Sequence, residues 1–243
     1  MPARVLFLRN DPTAPEAMLG EVFAESGFDI STVDVVGPRQ SDSPLVEVDF
    51  PDPGDFDVIV PLGARWAAYD DRLPWLATEM AMVRRALAGG VGVLGVCFGA
   101  QVVARALGGA VTRAPEPEIG WHHVTSGDTD LVPDGPWFQW HFDRITVPPG
   151  ARVLARTDRA VQAFGLDRAL GVQFHPELDE ALLELWIADD ADGDLARLGI
   201  SAEDLRSQTA GLVDDAARRL RLLVRGFLGV LGEDVHHGLH RRG

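Results

Sequence analysis

A chain of 243 residues with 46% hydrophobic and 24% charged residues can bury a real core, as one large α/β domain or two small ones, and is not the composition of a disordered protein. Its 22 basic residues are all Arg, which excludes Schiff-base chemistry and a P-loop lysine; set against 37 acidic residues they leave a net charge of −15, which disfavours nucleic acid and anionic membranes as partners. Cys97 is the only cysteine, so an intramolecular disulfide and a Cys-based zinc cage are excluded as well.

The apolar run at residues 5–8 is too short for a signal peptide and reads as an opening strand, and no later stretch is long enough to cross a bilayer. A cytoplasmic protein is expected. Short β-branched runs at 5–8, 32–36, 57–61 and 91–96 read as strands, and 15–26 and 75–87 carry apolar residues at helical spacing. That alternation predicts a mostly parallel central sheet flanked by helices. From Trp121 onward, runs at 122–125, 144–147, 152–157, 161–165 and 169–174 read as strands separated by turns such as Pro133-Asp134-Gly135, which predicts an antiparallel extension of the sheet. After Pro176 the pattern is helical: 182–188, a break at Gly193, 201–208 with Ser201 as its cap, and 212–231. No repeat or low-complexity linker appears, so residues 1–232 are expected to form a single domain, followed by a flexible tail at 233–243 with His236, His237 and His240 as polar residues in it.

The sharpest signal is Gly95-Val96-Cys97-Phe98-Gly99-Ala100-Gln101, where a strand ends and a helix begins. A nucleophile on such a turn is held in a strained conformation with its side chain outward, and small residues two positions to either side give the clearance. The helix N-terminus behind Cys97 favours a thiolate over a thiol, and the Phe98 N–H, next along, is placed for an oxyanion hole. A buried, inert cysteine is the plainer reading of a lone thiol. The flanking glycines argue for the nucleophile.

A nucleophile needs a base. His175 ends the apolar strand Leu170-Gly171-Val172-Gln173-Phe174 and is followed by Pro176-Glu177. Residues two apart in an extended segment face the same side, so the Glu177 carboxylate can take the Nδ1 proton, leaving Nε2 for the thiol. Pro176 keeps residue 175 extended. His122-His123 and His141 lack metal-ligand spacing, so no metal is expected. The six tryptophans are read as core, with Trp140 as the one exception.

These residues resemble the class I (triad) glutamine amidotransferase family, whose pattern is a Gly-x-Cys-x-Gly-x-Gln elbow followed much later by His-Pro-Glu; both stand here unchanged. Trp140-His141-Phe142-Asp143 is similar to the Trp-His-Gly-Asp stretch of the branch related to the amidotransferase domain of GMP synthetase, with Phe142 for the usual glycine, and Glu118-Ile119-Gly120-Trp121 resembles the same branch. The resemblance implies a flavodoxin-like fold and hydrolysis of the γ-amide of glutamine through a Cys97 thioester, with Cys97, His175 and Glu177 as the triad and no cofactor. It also implies that Gly63, in Pro61-Leu62-Gly63-Ala64, supplies a second oxyanion N–H beside that of Phe98, that Gln101 binds substrate, and that the backbone at Trp140 and His141 holds its amino-acid end. Ala64 stands where many members carry a second glycine. No synthetase domain or nucleotide motif accompanies the pattern, so a separately encoded ammonia-accepting synthetase is the expected partner. Two alternatives stay open: a hydrolase of γ-glutamyl peptides or conjugates using the same triad, and a non-catalytic binding or regulatory module.

Overall fold

The structure is a computed structural model that describes residues 2–40, 43–190 and 193–238, with side chains to residue 232. In chain order it holds β1 (Ala3–Arg9), α1 (Ala17–Glu25), β2 (Phe28–Asp34), β3 (Val58–Pro61), α2 (Pro74–Ala88), β4 (Gly92–Val96) and α3 (Phe98–Ala106). There follow β5 (Ala110–Ser126), β6 (Gly135–Thr146), β7 (Arg152–Arg156), β8 (Val161–Leu166), β9 (Ala169–Val172), α4 (Glu180–Ala188), α5 (Asp194–Leu198) and α6 (Ala202–Gly238).

Nine strands form one sheet in the order β2-β1-β3-β4-β9-β8-β7-β5-β6. The β2-β1-β3-β4-β9 half is parallel, and every pairing from β9 to β6 is antiparallel. This is the mostly parallel sheet with an antiparallel extension that the sequence predicts. Burial explains the parallel half: every residue of β3, β4 and β9 is buried, as expected of strands covered on both faces. Alternation along β1 sends Val5 and Phe7 to the face covered by α1 and α6, and Leu6 and Leu8 to the face covered by α2 and α3. Each fully buried side chain of this size contributes roughly 1.5–3 kcal/mol.

Three parts of the fold differ from the sequence reading: β2, the β5–β6 hairpin and α6. Strand β2 begins at Phe28 and ends at Asp34, before the buried Val35 and Val36; on an edge, its polar residues face solvent, so apolar content misplaces it. Strands β5 and β6 form a long hairpin whose register shifts between Arg113 and Glu118, where Pro115 and Pro117 cannot donate to the ladder and hide the strand from its sequence. Helix α6 is continuous through Gly211, where the sequence suggested two helices. A helical glycine costs about 1 kcal/mol; burial of Leu220, Leu223, Val224 and Phe227 in one core cluster outweighs it. The helix also runs on through His236 and His237 to Gly238, into the stretch 233–243 expected as a tail, while residues 239–243, His240 included, lie outside the described residues. Among the described residues no helix is long and apolar enough to cross a membrane.

Candidate active site

Cys97 sits between β4 and α3 with φ 51° and ψ −109°, a left-handed conformation rare for a side chain. The elbow is held by the Cys97 N–H donating to Val172 O at 2.8 Å, which ties it to the end of β9. The flanking glycines are sterically required: a Cβ on Gly95 would lie 2.6 Å from Gly99 O, and one on Gly99 would overlap the Pro61 carbonyl. The strand–elbow–helix geometry expected from the sequence is present.

His175 lies just beyond β9, its N–H donating to Phe138 O at 2.8 Å across from β6. The imidazole packs edge-on against Trp186, with centroids 4.6 Å apart, and its Nδ1 lies 2.7 Å from Glu177 Oε1. Both side chains are almost fully buried, at 5% and 1% exposure. Burial alone would lower the proton affinity of His175, but the charges at Cys97 and Glu177, together with hydrogen bonding to both, outweigh it and push its pKa up to about 10. A proton on Nδ1 donated to Glu177 fixes the ring and turns Nε2 toward other partners.

Gly63 closes the other side. A Cβ there would sit 3.4 Å from His175 Cε1 and 3.9 Å from Cys97 Cβ, so the loop after β3 packs directly on both residues. Among the described residues, neither the Gly63 nor the Phe98 N–H donates a hydrogen bond. Gln101, on α3, is buried and donates from Nε2 to Gln173 Oε1 at 3.1 Å, and Gln173 Nε2 in turn lies 3.6 Å from Cys97 Sγ.

The site opens into a cleft of about 630 Å³, within the range of small-molecule pockets. Cys97, His175, Gly63, Phe98 and Gln101 line it, as do Trp140 and His141. Glu177 stands behind His175. Trp140 packs on Phe138 and Trp186, whereas the His141 side chain turns inward, its Nδ1 donating to Asp143 O at 2.9 Å and its Nε2 3.4 Å from Glu118 Oε2. The next residue, Phe142, carries Arg113 over its ring at 4.6 Å and Arg197 at 5.8 Å, and Arg113 Nη1 lies 3.8 Å from Asp143 Oδ1. Among the described residues no group of three or more His, Cys, Asp or Glu is placed to hold a metal ion.

Sequence reasoning missed several members of this site. Gln173 was within reach, since it precedes His175 by two in an extended segment and so faces the same way. Trp66 and Trp186, read as core, do pack with core clusters but also line the cleft, and Trp186 is anchored by its Nε1–H donating to Thr13 O at 2.7 Å. Asp11 and Arg65 carry no motif. Arg65 Nε donates to Asp11 Oδ2 at 2.7 Å; burial would raise the Asp11 carboxyl, and hydrogen bonds from Arg65 and Thr13 bring it below its ordinary value.

Known proteins resemble this chain in sequence and in fold. The model of the family described as glutamine amidotransferase class-I matches residues 58–183, which spans the Gly63 loop, the Cys97 elbow and the His175-Pro176-Glu177 segment. The crystal structure of a glutamine amidotransferase from Thermotoga maritima superposes with a TM-score of 0.80 and 25% identity, covering 93% of this chain and 98% of that one. The glutamine-hydrolyzing GMP synthase of Thermus thermophilus is 40% identical over 185 residues, 65% of this chain and 37% of that protein. In Sulfurisphaera tokodaii, a protein named as one subunit of the glutamine-hydrolyzing GMP synthase is 42% identical over 94 residues, 35% of this chain and 50% of that one. The chain thus spans no more than half the length of these two relatives. Fold, site geometry and a family match over half of the chain give one conclusion: this protein belongs to the class I glutamine amidotransferase family.

Proposed function

We propose that the protein hydrolyses the side-chain amide of glutamine through a γ-glutamyl thioester on Cys97, with His175 as acid and base and Glu177 as the group that orients it. The observation that carries this reading is the buried His175–Glu177 pair at 2.7 Å, set in the same cleft wall as the strained Cys97 elbow. In the cycle, the Cys97 sulfur attacks the amide carbon while the N–H groups of Gly63 and Phe98 take up the charge on oxygen. The C–N bond then breaks as protonated His175 gives its proton to the leaving nitrogen, and ammonia departs. Neutral His175 next takes a proton from water, whose oxygen attacks the thioester and releases glutamate and the thiolate. A His175 pKa near 10 suits the first half of this cycle, since the acid is charged before the amine leaves.

Gln101 and the backbone of Trp140 and His141 are proposed to hold the amino-acid end of the substrate, supported by their place in the cleft wall. Residues 1–232 are read as one catalytic unit, because α6 packs into the same core cluster as β1 and β3. The Sulfurisphaera tokodaii relative is named as a single subunit of its enzyme, which supports a separately encoded synthetase as ammonia acceptor, and a cytoplasmic location belongs to the same proposal. A second reading, hydrolysis of γ-glutamyl peptides or conjugates, is favoured by the cleft volume of about 630 Å³, which leaves room for a larger leaving amine. Glutamate release from L-glutamine and from a γ-glutamyl peptide, with Cys97→Ala as control, separates the two. Turnover of glutamine that disappears in the variant is expected. Preference for the peptide would replace the acceptor with a conjugate substrate, and turnover surviving in Cys97→Ala would remove the mechanism.

A further inference from the structure

Glu79 is a fully buried carboxyl on α2 that the proposed cycle does not use. Its Oε1 accepts from Asn10 Nδ2 at 3.2 Å, and the same Nδ2 donates to Leu62 O at 3.1 Å. Asn10 is fully buried as well. Leu62 immediately precedes Gly63, the loop residue packed against both Cys97 and His175. On the other flank of that loop, the Arg65 N–H donates to Asp11 Oδ2 at 3.2 Å, and Asp11 is the neighbour of Asn10 at the end of β1. Two consecutive buried side chains therefore grip the Gly63–Ala64 segment from both ends. An unbraced loop could rotate its peptide groups and turn the Gly63 N–H away from the thiol.

Two orphan atoms indicate the chemical state of this support. Glu79 Oε2 and Asn10 Oδ1 are both buried without a hydrogen-bond partner. Two acceptors cannot satisfy one another, but a carboxyl that keeps its proton supplies the donor that Asn10 Oδ1 lacks, in the side-by-side pairing of an amide with a carboxylic acid. Burial favours the same state, pushing the Glu79 pKa up to about 8. Among the described residues no cation compensates an ionised carboxylate here.

We propose that Asn10 and Glu79 form a buried amide–carboxylic acid pair that positions the Gly63 N–H for the oxyanion, making both of them positioning residues for the hydrolysis. The inference rests on the proposed role of Gly63 in that reaction. It predicts a preassembled oxyanion loop, which fits Ala64 in place of a second glycine: the loop is built to stay rather than to turn.

Two reactions of Cys97 test it. Hydrolysis of L-glutamine needs the oxyanion donors, whereas alkylation of Cys97 by iodoacetamide displaces iodide at a saturated carbon and needs only the thiolate. Asn10→Ala and Glu79→Leu should lower kcat by about 10-fold or more, toward the loss of one oxyanion donor, with KM and the alkylation rate within about twofold of wild type. Glu79→Gln replaces the acid with a neutral amide that has the same donor and acceptor, and should keep kcat within about twofold. Asn10→Ser, which removes the amide with less change in polarity, carries the same readout should the larger truncations fail to fold. Wild-type kcat in the Asn10 variants, a Glu79→Gln as impaired as Glu79→Leu, or alkylation falling in step with kcat would each overturn the proposal. A wild-type protein without Cys97-dependent turnover would overturn the proposed function together with this inference; wild-type turnover that ignores Asn10 overturns the inference alone.

Discussion

The parallel half of the sheet and its antiparallel half meet at β9 and contribute different things to one cleft. At the carboxyl ends of the parallel strands stand the Gly63 loop after β3, the Cys97 elbow after β4 and His175 after β9, as expected for ligand sites of open α/β sheets. The antiparallel half supplies the Trp140–Asp143 wall from β6, with Arg113 from β5 stacked on it. In the first half, β3, β4 and β9 are buried throughout and covered on both faces; the other half presents aromatic rings and the more than half-exposed Arg113 to the opening. On the proposed function, the difference teaches that reaction chemistry and substrate selection fall to separate parts of one sheet. Changes in the parallel half should appear in kcat, and changes in the antiparallel wall in KM.

Glu177→Gln should have the largest effect of the substitutions that leave Cys97 in place. It keeps the shape and the hydrogen bond but removes one of the two charges, at Cys97 and at Glu177, that hold His175 cationic, so kcat for glutamine should fall by roughly 100-fold or more, with KM little changed. An unchanged rate would mean that another group orients His175. The next effect is on stability. Between an ordinary carboxyl pKa of 4.5 and the raised value of about 8, native Glu79 keeps a proton that the unfolded chain releases, so the native state binds more protons and stability falls as pH rises through that window. Glu79→Gln lacks this dependence. Its stability relative to wild type should therefore increase by on the order of 4 kcal/mol from pH 4.5 to 8 and then level off, as read by denaturant unfolding. Parallel curves would place an ionised carboxylate at Glu79. Arg113→Ala is the smallest change: the residue is more than half exposed, and its contacts with Phe142 and Asp143 are worth about 0.5–1 kcal/mol. A rise in KM of about two- to fivefold at constant kcat would sharpen the division between the halves; a drop in kcat alone would break it.

The two halves also differ in how far their sequence reveals them. The elbow and the His175–Glu177 pair are legible because their geometry is local: flanking glycines, a strand–helix junction, and a spacing of two in an extended chain. The cleft wall is legible only through the family resemblance of Trp140 to Asp143, since Pro115 and Pro117 mask β5, and the surroundings of that stretch show only once β6 is paired. Asn10 and Glu79 lie between these cases. Glu79 falls in the buried stripe Trp75, Leu76, Met82, Val83 and Ala86 of α2, so its spacing alone marks it as a carboxyl facing the core, but its partner 69 positions earlier is set by the packing of α2 near the end of β1. Gly211 misled in the other direction, because local helix propensity says nothing of the core that α6 reaches two turns later.

The most direct test of the central claim is mass spectrometry of the Cys97 peptide from protein quenched with acid during turnover of L-glutamine. A γ-glutamyl adduct on Cys97 that forms within the first turnover and disappears as substrate is exhausted is the predicted result. Steady glutamate release with Cys97 unmodified throughout, and with the rate preserved in Cys97→Ala, would contradict it.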